Sequence, residues 1–368
     1  MSERLESASD VAAALNPRRL RLARELRGWT QAELGAEVEG GLSSAAISQL
    51  ENGRTRPTAA TVRSLSDALD FPMRFFLLRD GDDDPPGFFR RLQSVPARER
   101  RKALGRAQML YDLVVAIERH LRLPEIDVPR APGGVRTPEE IEKLAGRVRR
   151  YWEIEPGPVP HVVRTLERQG VIVARFAMDR SDIDGFSVWH EDHPVVVLGD
   201  DKGVAARSRF DAAHELGHLV MHGPDRAGSR EAEKEAHRFA AAFLMPEEDI
   251  REQLPQRADW RLLVDLKAEW GVSVGALLQR AKDLRRMSDH AHLNAMKAMS
   301  ARGWRKDEPG DELLGSPEGP RMLAEALRHL EREMGVTLAD LAAEAGLPLA
   351  EIERIATLSS DSRPTLDF

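Results

Sequence analysis

Two histidines four residues apart, His214 and His218, with Glu215 beside the first, stand on one face if this stretch is a helix. Four residues advance an α-helix by about 6 Å and a little over one turn, so both imidazoles leave the same face. One metal ion can then take a nitrogen from each, with Glu215 turned toward a water on that ion. The flanking residues agree with a helix. Phe210, Ala213, Leu216 and Leu219 form a buried stripe, and Gly223-Pro224 ends it. A third ligand is needed, and the 368-residue chain has no cysteine, so it must be His, Asp or Glu. His222 is the nearby competitor. It lies about 12 Å along the axis from His214, too far for those two to share an ion. A His218–His222 pair is the alternative, and it leaves Glu215 without a task.

Composition sets the class. Hydrophobic residues make up 42% of the chain and charged residues 31%, values of a soluble globular protein with room for two or three domains. The longest apolar runs, such as Val195 to Leu198, are strand-sized, and Met1 to Asn16 lacks the layout of a secretion signal. The expected location is cytoplasmic, with no membrane partner. A net charge of −7 does not advertise nucleic-acid binding, but local patches decide phosphate attraction, and the charge is uneven. Arg18, Arg19, Arg21, Arg24 and Arg27 crowd one predicted helix, and Arg90 to Arg106 carry a second basic cluster.

Residues 16–78 read as a set of short helices. Asn16-Pro17 starts the first, and a Thr30/Glu33 capping box opens a second over Gln31 to Val38. Gly40-Gly41 turns the chain, Ser43 or Ser44 caps a third, and Asn52-Gly53 stops it. A fourth runs from Thr58 to Leu69, and Pro72 opens a short fifth. Asp80 to Pro86 is an acidic, proline-bearing linker, followed by a basic helical connector over Pro96 to Leu121. Another helix spans Pro138 to Trp152, the strand patterns fall at 171–176 and 186–198, and two long helices at 203–222 and 229–244 follow. Everything after 247 looks helical.

Leu22-Ala23-Arg24-Glu25, Gly28 to Gly35, and Ile47 to Arg54 with Pro57 resemble the Cro/repressor-type helix-turn-helix domain. In that architecture helix two crosses the DNA backbone and helix three enters the major groove. The resemblance implies that Gln31, Ser44, Ala45, Ser48 and Gln49 face DNA, with Gln49 the candidate for adenine readout. Arg54 and the arginines of the first helix are the candidates for phosphate contacts. The turn Glu39-Gly40-Gly41-Leu42 is a residue or two longer than usual, which would rotate helix three.

Ala213-His214-Glu215-Leu216-Gly217-His218 and the segment Glu233 to Pro246, ending Phe239-Ala240-Ala241-Ala242-Phe243-Leu244-Met245-Pro246, resemble the ImmA/IrrE metallopeptidases. The resemblance implies that Glu233 is the third ligand to zinc, with manganese as an alternative metal. His237, one turn along, is then a spare ligand or a support. Zinc would polarise the scissile carbonyl and acidify its water, and Glu215 would carry the proton to the leaving amine. No oxyanion-stabilising residue stands out among Tyr111, Tyr151, His161, His190 and His193. Members of this family relieve repression by cutting a helix-turn-helix repressor, so such a repressor, or this chain itself, is the implied substrate. A double-stranded operator bound as a homodimer is the implied DNA partner. The rival expectation is a transcription factor whose zinc fold is a sensor or scaffold without turnover.

The expected fold class is α+β and predominantly helical. It comprises an N-terminal all-α helix-turn-helix domain (16–78), an acidic linker and basic connector (79–135), a zincin-like metallopeptidase domain with a small sheet (136–290), and a helical C-terminal region (291–368). Within that region Thr337 to Ile352 mimics a second DNA-binding helix pair. Residues 321–355 hold four arginines against seven acids, a net of −3 that would repel phosphate, so packing or self-association is expected there.

Overall fold

Capping side chains mark where the N-terminal helices begin. In the computed structural model, which describes residues 7–78, 97–176, 185–199, 203–223, 226, 229–305 and 307–358, α1 (Ala8–Ala14) opens at a Ser7/Asp10 capping box. The acidic linker at 80–86, part of the basic cluster that follows it, and the last ten residues lie outside the described residues. Asn16 caps α2 (Pro17–Arg27), and Thr30 and Glu33 cap α3 (Gln31–Glu37) reciprocally. Ser43 caps α4 (Ser44–Glu51), Thr58 caps α5 (Ala59–Leu69), and a 3-10 turn covers Met73–Leu77. The long turn before α4 is left-handed at two successive glycines, Gly40 at φ 82° and Gly41 at φ 70°, a path that side-chain-bearing residues would strain. It is tied back by the Leu42 amide donating to the Gly35 carbonyl at 2.8 Å.

The rest of the described chain contributes α6 (Ala97–Glu118), α7 (Pro138–Tyr151), α8 (Val162–Arg168), and a sheet of β1 (Ile172–Phe176), β2 (Gly185–His190) and β3 (His193–Gly199). Then come α9 (Ala205–Met221), α10 (Arg230–Leu244), α11 (Glu247–Ile250), α12 (Trp260–Trp270), α13 (Val274–Asp283) and α14 (Asp289–Ala301). Three C-terminal helices follow, α15 (Met322–His329), α16 (Leu338–Ala345) and α17 (Leu349–Leu358). The chain is α+β and mostly helical, as its patterning predicts. No helix of the described residues is long and apolar enough to cross a membrane.

The sheet order is β1-β3-β2, with β1 parallel and β2 antiparallel to β3. Ile172 lies opposite Val195, and Ser187 opposite Val196. Both faces are covered, which explains the near-continuous apolar strands. Ile172, Ala174, Phe186, Val188, Val195 and Val197 belong to one core, and Val173, Val196 and Leu198 to the other, as the two-residue period of a strand requires. The first core unites the buried faces of α2 to α5 with α6, this sheet face and the C-terminal helices. The second holds α7 to α14.

The packing of α2 corrects one expectation. Arg19 is fully buried and donates to Asp112 on α6 at 2.5 and 3.0 Å. Arg24 grips Glu51 at 2.5 and 3.0 Å and donates to the Trp29 carbonyl at 2.6 Å. Arg27 binds the Leu69 and Asp70 carbonyls. These three guanidinium groups hold helices together because their face of α2 is packed, and of the five arginines only Arg18 and Arg21 are exposed. The C-terminal mimic of a helix pair also packs inward. Leu341, Ile352 and Ile355 are buried in the first core, and Glu344 accepts from His120 at 2.9 Å.

Candidate metal centre

The centre is made by two helices that approach unusually closely. At Gly217 on α9, an added Cβ would stand 3.2 Å from the Ala236 Cα and the Phe239 Cβ of α10. The missing side chain lets the helix axes come together and brings the first turn of α10, capped by Ser229, over the histidines of α9. Gly217→Ala would overfill this contact. The overpacking should cost about 1–3 kcal/mol, offset by the roughly 1 kcal/mol of helix propensity that Ala gains over Gly, for a net loss read from the urea midpoint of the full chain. An unchanged midpoint would mean that the helices part without penalty.

Across that contact His214, His218 and Glu233 converge. Their ligand-type atoms all lie within 4.8 Å of one another. The His214 and His218 Nε2 atoms are 3.1 Å apart, and each is 3.5 Å from an oxygen of Glu233. Burial pushes the Glu233 carboxyl up, but the two imidazoles beside it outweigh burial and hold the group well below the usual carboxylate range. Burial also depresses His218, against the pull of Glu233, and so favours the neutral imidazole that a metal requires. Two imidazole nitrogens and one carboxylate oxygen form a donor set that suits zinc and also admits manganese.

Glu215 is buried beside this trio, and its Oε2 accepts a 2.7 Å hydrogen bond from the Ser187 hydroxyl. Ser187 comes from β2 and faces the second core, opposite to its neighbours Phe186 and Val188. Sequence patterning did not single it out, since a serine within a strand carries no spacing signal.

His222 does not compete for the trio's ion. Its Nδ1 stands 2.9 Å from the Nδ1 of His218, on the side of that ring away from His214 and Glu233. Its Nε2 meets Glu235 Oε2 at 3.1 Å. His237 is exposed and packs on the Phe210 ring, centroids 4.7 Å apart, and is not part of the trio. The lone tyrosines and histidines have other partners. Tyr111 stacks on His190 at 5.1 Å and donates to Glu191, Tyr151 donates to Asp127, His161 pairs with Glu318, and His193 meets Glu118. Burial pushes His190 down to about 4.

On the N-terminal unit, Ser44, Ala45, Gln49 and Arg54 are exposed at α4 and just beyond it. Ser48 is half-buried, with its carbonyl accepting from the Asn52 side chain at 2.6 Å. Gln31 is also half-buried, and its Nε2 donates to Glu51 at 2.8 Å. The carboxylate that anchors Arg24 therefore positions Gln31 as well.

Residues 20–76 match a family model described as helix-turn-helix, and residues 166–282 match one described as the IrrE N-terminal-like domain. The chain joins a helix-turn-helix domain to an IrrE-like domain. The second match runs from the end of α8 through the sheet to the last turn of α13, and so contains all three converging residues, Glu215 and Ser187. No curated protein matches the chain.

Proposed function

We propose that the chain is a DNA-binding transcriptional regulator whose IrrE-like domain is a zinc-dependent endopeptidase. The convergence of His214, His218 and Glu233 beside a buried Glu215 carries this reading. When bound, zinc supplies Lewis-acid chemistry, drawing electron density from an oxygen of water or substrate. His214, His218 and Glu233 hold it. Glu215 is a proton acceptor, aimed by the Ser187 hydroxyl at its Oε2, and a carboxylate so placed takes a proton and returns it to a leaving amine. The substrate is a helix-turn-helix repressor or the chain itself, near 80–100. Incubating the protein with zinc or manganese and neighbouring repressors tests this. A discrete fragment that disappears with chelator is expected, and repressor left intact under all conditions overturns it.

A second reading is favoured by β2. This strand sets Ser187 against Glu215 on one face and sends Phe186 and Val188 into the core shared with α2 on the other. A metal-free or metal-loaded centre would then be felt by the DNA-binding unit without turnover, as a sensor or scaffold.

The DNA half binds a two-fold symmetric operator as a homodimer, since one such unit covers a half-site. Gln49→Ala should relax specificity at one base position, losing about 1–3 kcal/mol of discrimination. Arg54→Ala should weaken binding to all sequences and reduce the salt slope by about 1. Gel shifts on operator variants at several salt concentrations separate the two. Identical behaviour of both variants would displace α4 from the groove.

A further inference from the structure

Behind the metal-facing side of His218 lies a buried chain of polar groups. Arg226 donates to both oxygens of Glu235, at 2.8 and 3.0 Å, and the Arg136 amide donates to the same carboxylate at 3.0 Å. His222 Nε2 meets Glu235 Oε2 at 3.1 Å, and His222 Nδ1 meets His218 Nδ1 at 2.9 Å. Arg226, Glu235, His222 and His218 are all more than nine-tenths buried.

We propose that Arg226, Glu235 and His222 form a positioning relay that sets the tautomer of His218, so that its bare Nε2 faces His214 and Glu233. The inference rests on the metal-site reading above. Its logic is a count of hydrogens. Glu235, with a guanidinium on both oxygens, is an acceptor, so the proton on the His222–Glu235 bond sits on His222 Nε2. A neutral imidazole has one donor nitrogen and one acceptor nitrogen. His222 Nδ1 is therefore the acceptor toward His218, and the His218 proton lies on Nδ1. Nε2 keeps its lone pair, directed where the other two ligands converge. Without the relay the proton is free to occupy Nε2, and each binding event must first move it. Metal-ligating histidines are commonly held through the second ring nitrogen, and losing that support costs about 10- to 100-fold in metal affinity.

The spacing explains why two carboxylates of one helix act on different histidines. Glu233 and Glu235 are two residues apart and so leave α10 in different directions, one to His214 and His218 and the other to His222.

Three full-length proteins test the relay: wild type, His222→Phe, which offers His218 no acceptor, and His222→Gln, whose amide oxygen can accept. Histidine-selective nitrogen-15 spectra of the metal-free proteins should report the Nδ1–H tautomer of His218 in wild type and His222→Gln, and a mixture in His222→Phe. Zinc affinity by chelator competition should fall about 10- to 100-fold in His222→Phe and recover most of the loss in His222→Gln. Helical circular dichroism and operator binding verify folding. An Nε2–H tautomer in wild type, or unchanged zinc affinity in a folded His222→Phe, overturns the relay while leaving the metal site standing. Wild type that takes up no zinc overturns both.

Discussion

Glu215→Gln is expected to stop peptide-bond cleavage while leaving metal content and operator affinity at the wild-type level. The amide matches the carboxylate in shape but cannot take a proton. Loss of a general base costs about 10² to 10⁴ in rate, enough to silence a single-turnover assay. The three candidate ligands are separate residues, and the amide oxygen can still accept the Ser187 hydroxyl, so the local packing of β2 on α9 persists. DNA affinity is read on α4, which belongs to a different core from α9. In cells the variant should behave as a permanent repressor. Ser187→Ala offers the graded comparison, because it keeps the carboxylate and removes only a donor that aims it. Normal induction by Glu215→Gln, with metal retained, would sink the peptidase reading and leave the sensor in its place.

Local chemistry made the helices readable. The Asn16 cap and the Thr30/Glu33 box stand within the sequence neighbourhood they control. α1 rests on the same kind of signal, Ser7 with Asp10, but it precedes Asn16-Pro17, which is the stronger start in the sequence. The apolar strands were legible too, but not which core each face serves, because alternation has no meaning when both sides are buried. Long-range pairing was not legible. Nothing near Arg19 indicates that it meets an aspartate 93 residues away instead of a phosphate. His222 met the same limit. Its four-residue spacing from His218 suits a ligand pair as well as a ring-to-ring hydrogen bond. Glu235 and Arg226, which decide between them, come from outside α9.

The pair that joins α2 to α6 leads to the second large effect. Asp112→Ala should destabilise the full chain by about 3–5 kcal/mol, because it leaves the Arg19 guanidinium buried without its counter-charge. Arg19 sits at zero exposure, stacked over the Phe75 ring at 5.3 Å, and Gln108 donates to the same aspartate at 3.1 Å. The guanidinium has no solvent exposure in the intact pair, so most of the cost is desolvation left unmatched and not a lost attraction. This distinction is measurable. A double variant, Arg19→Met with Asp112→Leu, removes both charges and fills similar volume, and should recover most of the loss. Urea midpoints for wild type, both single variants and the double variant complete the cycle. If the double variant is as unstable as Asp112→Ala, the site needs the shape of the ion pair, and unmatched desolvation is the wrong account. If Asp112→Ala itself unfolds at the wild-type midpoint, the contact between α2 and α6 does not hold the DNA-binding unit to the rest of the chain. The sensor reading would then lose one of the contacts through which α6 and the sheet reach that unit.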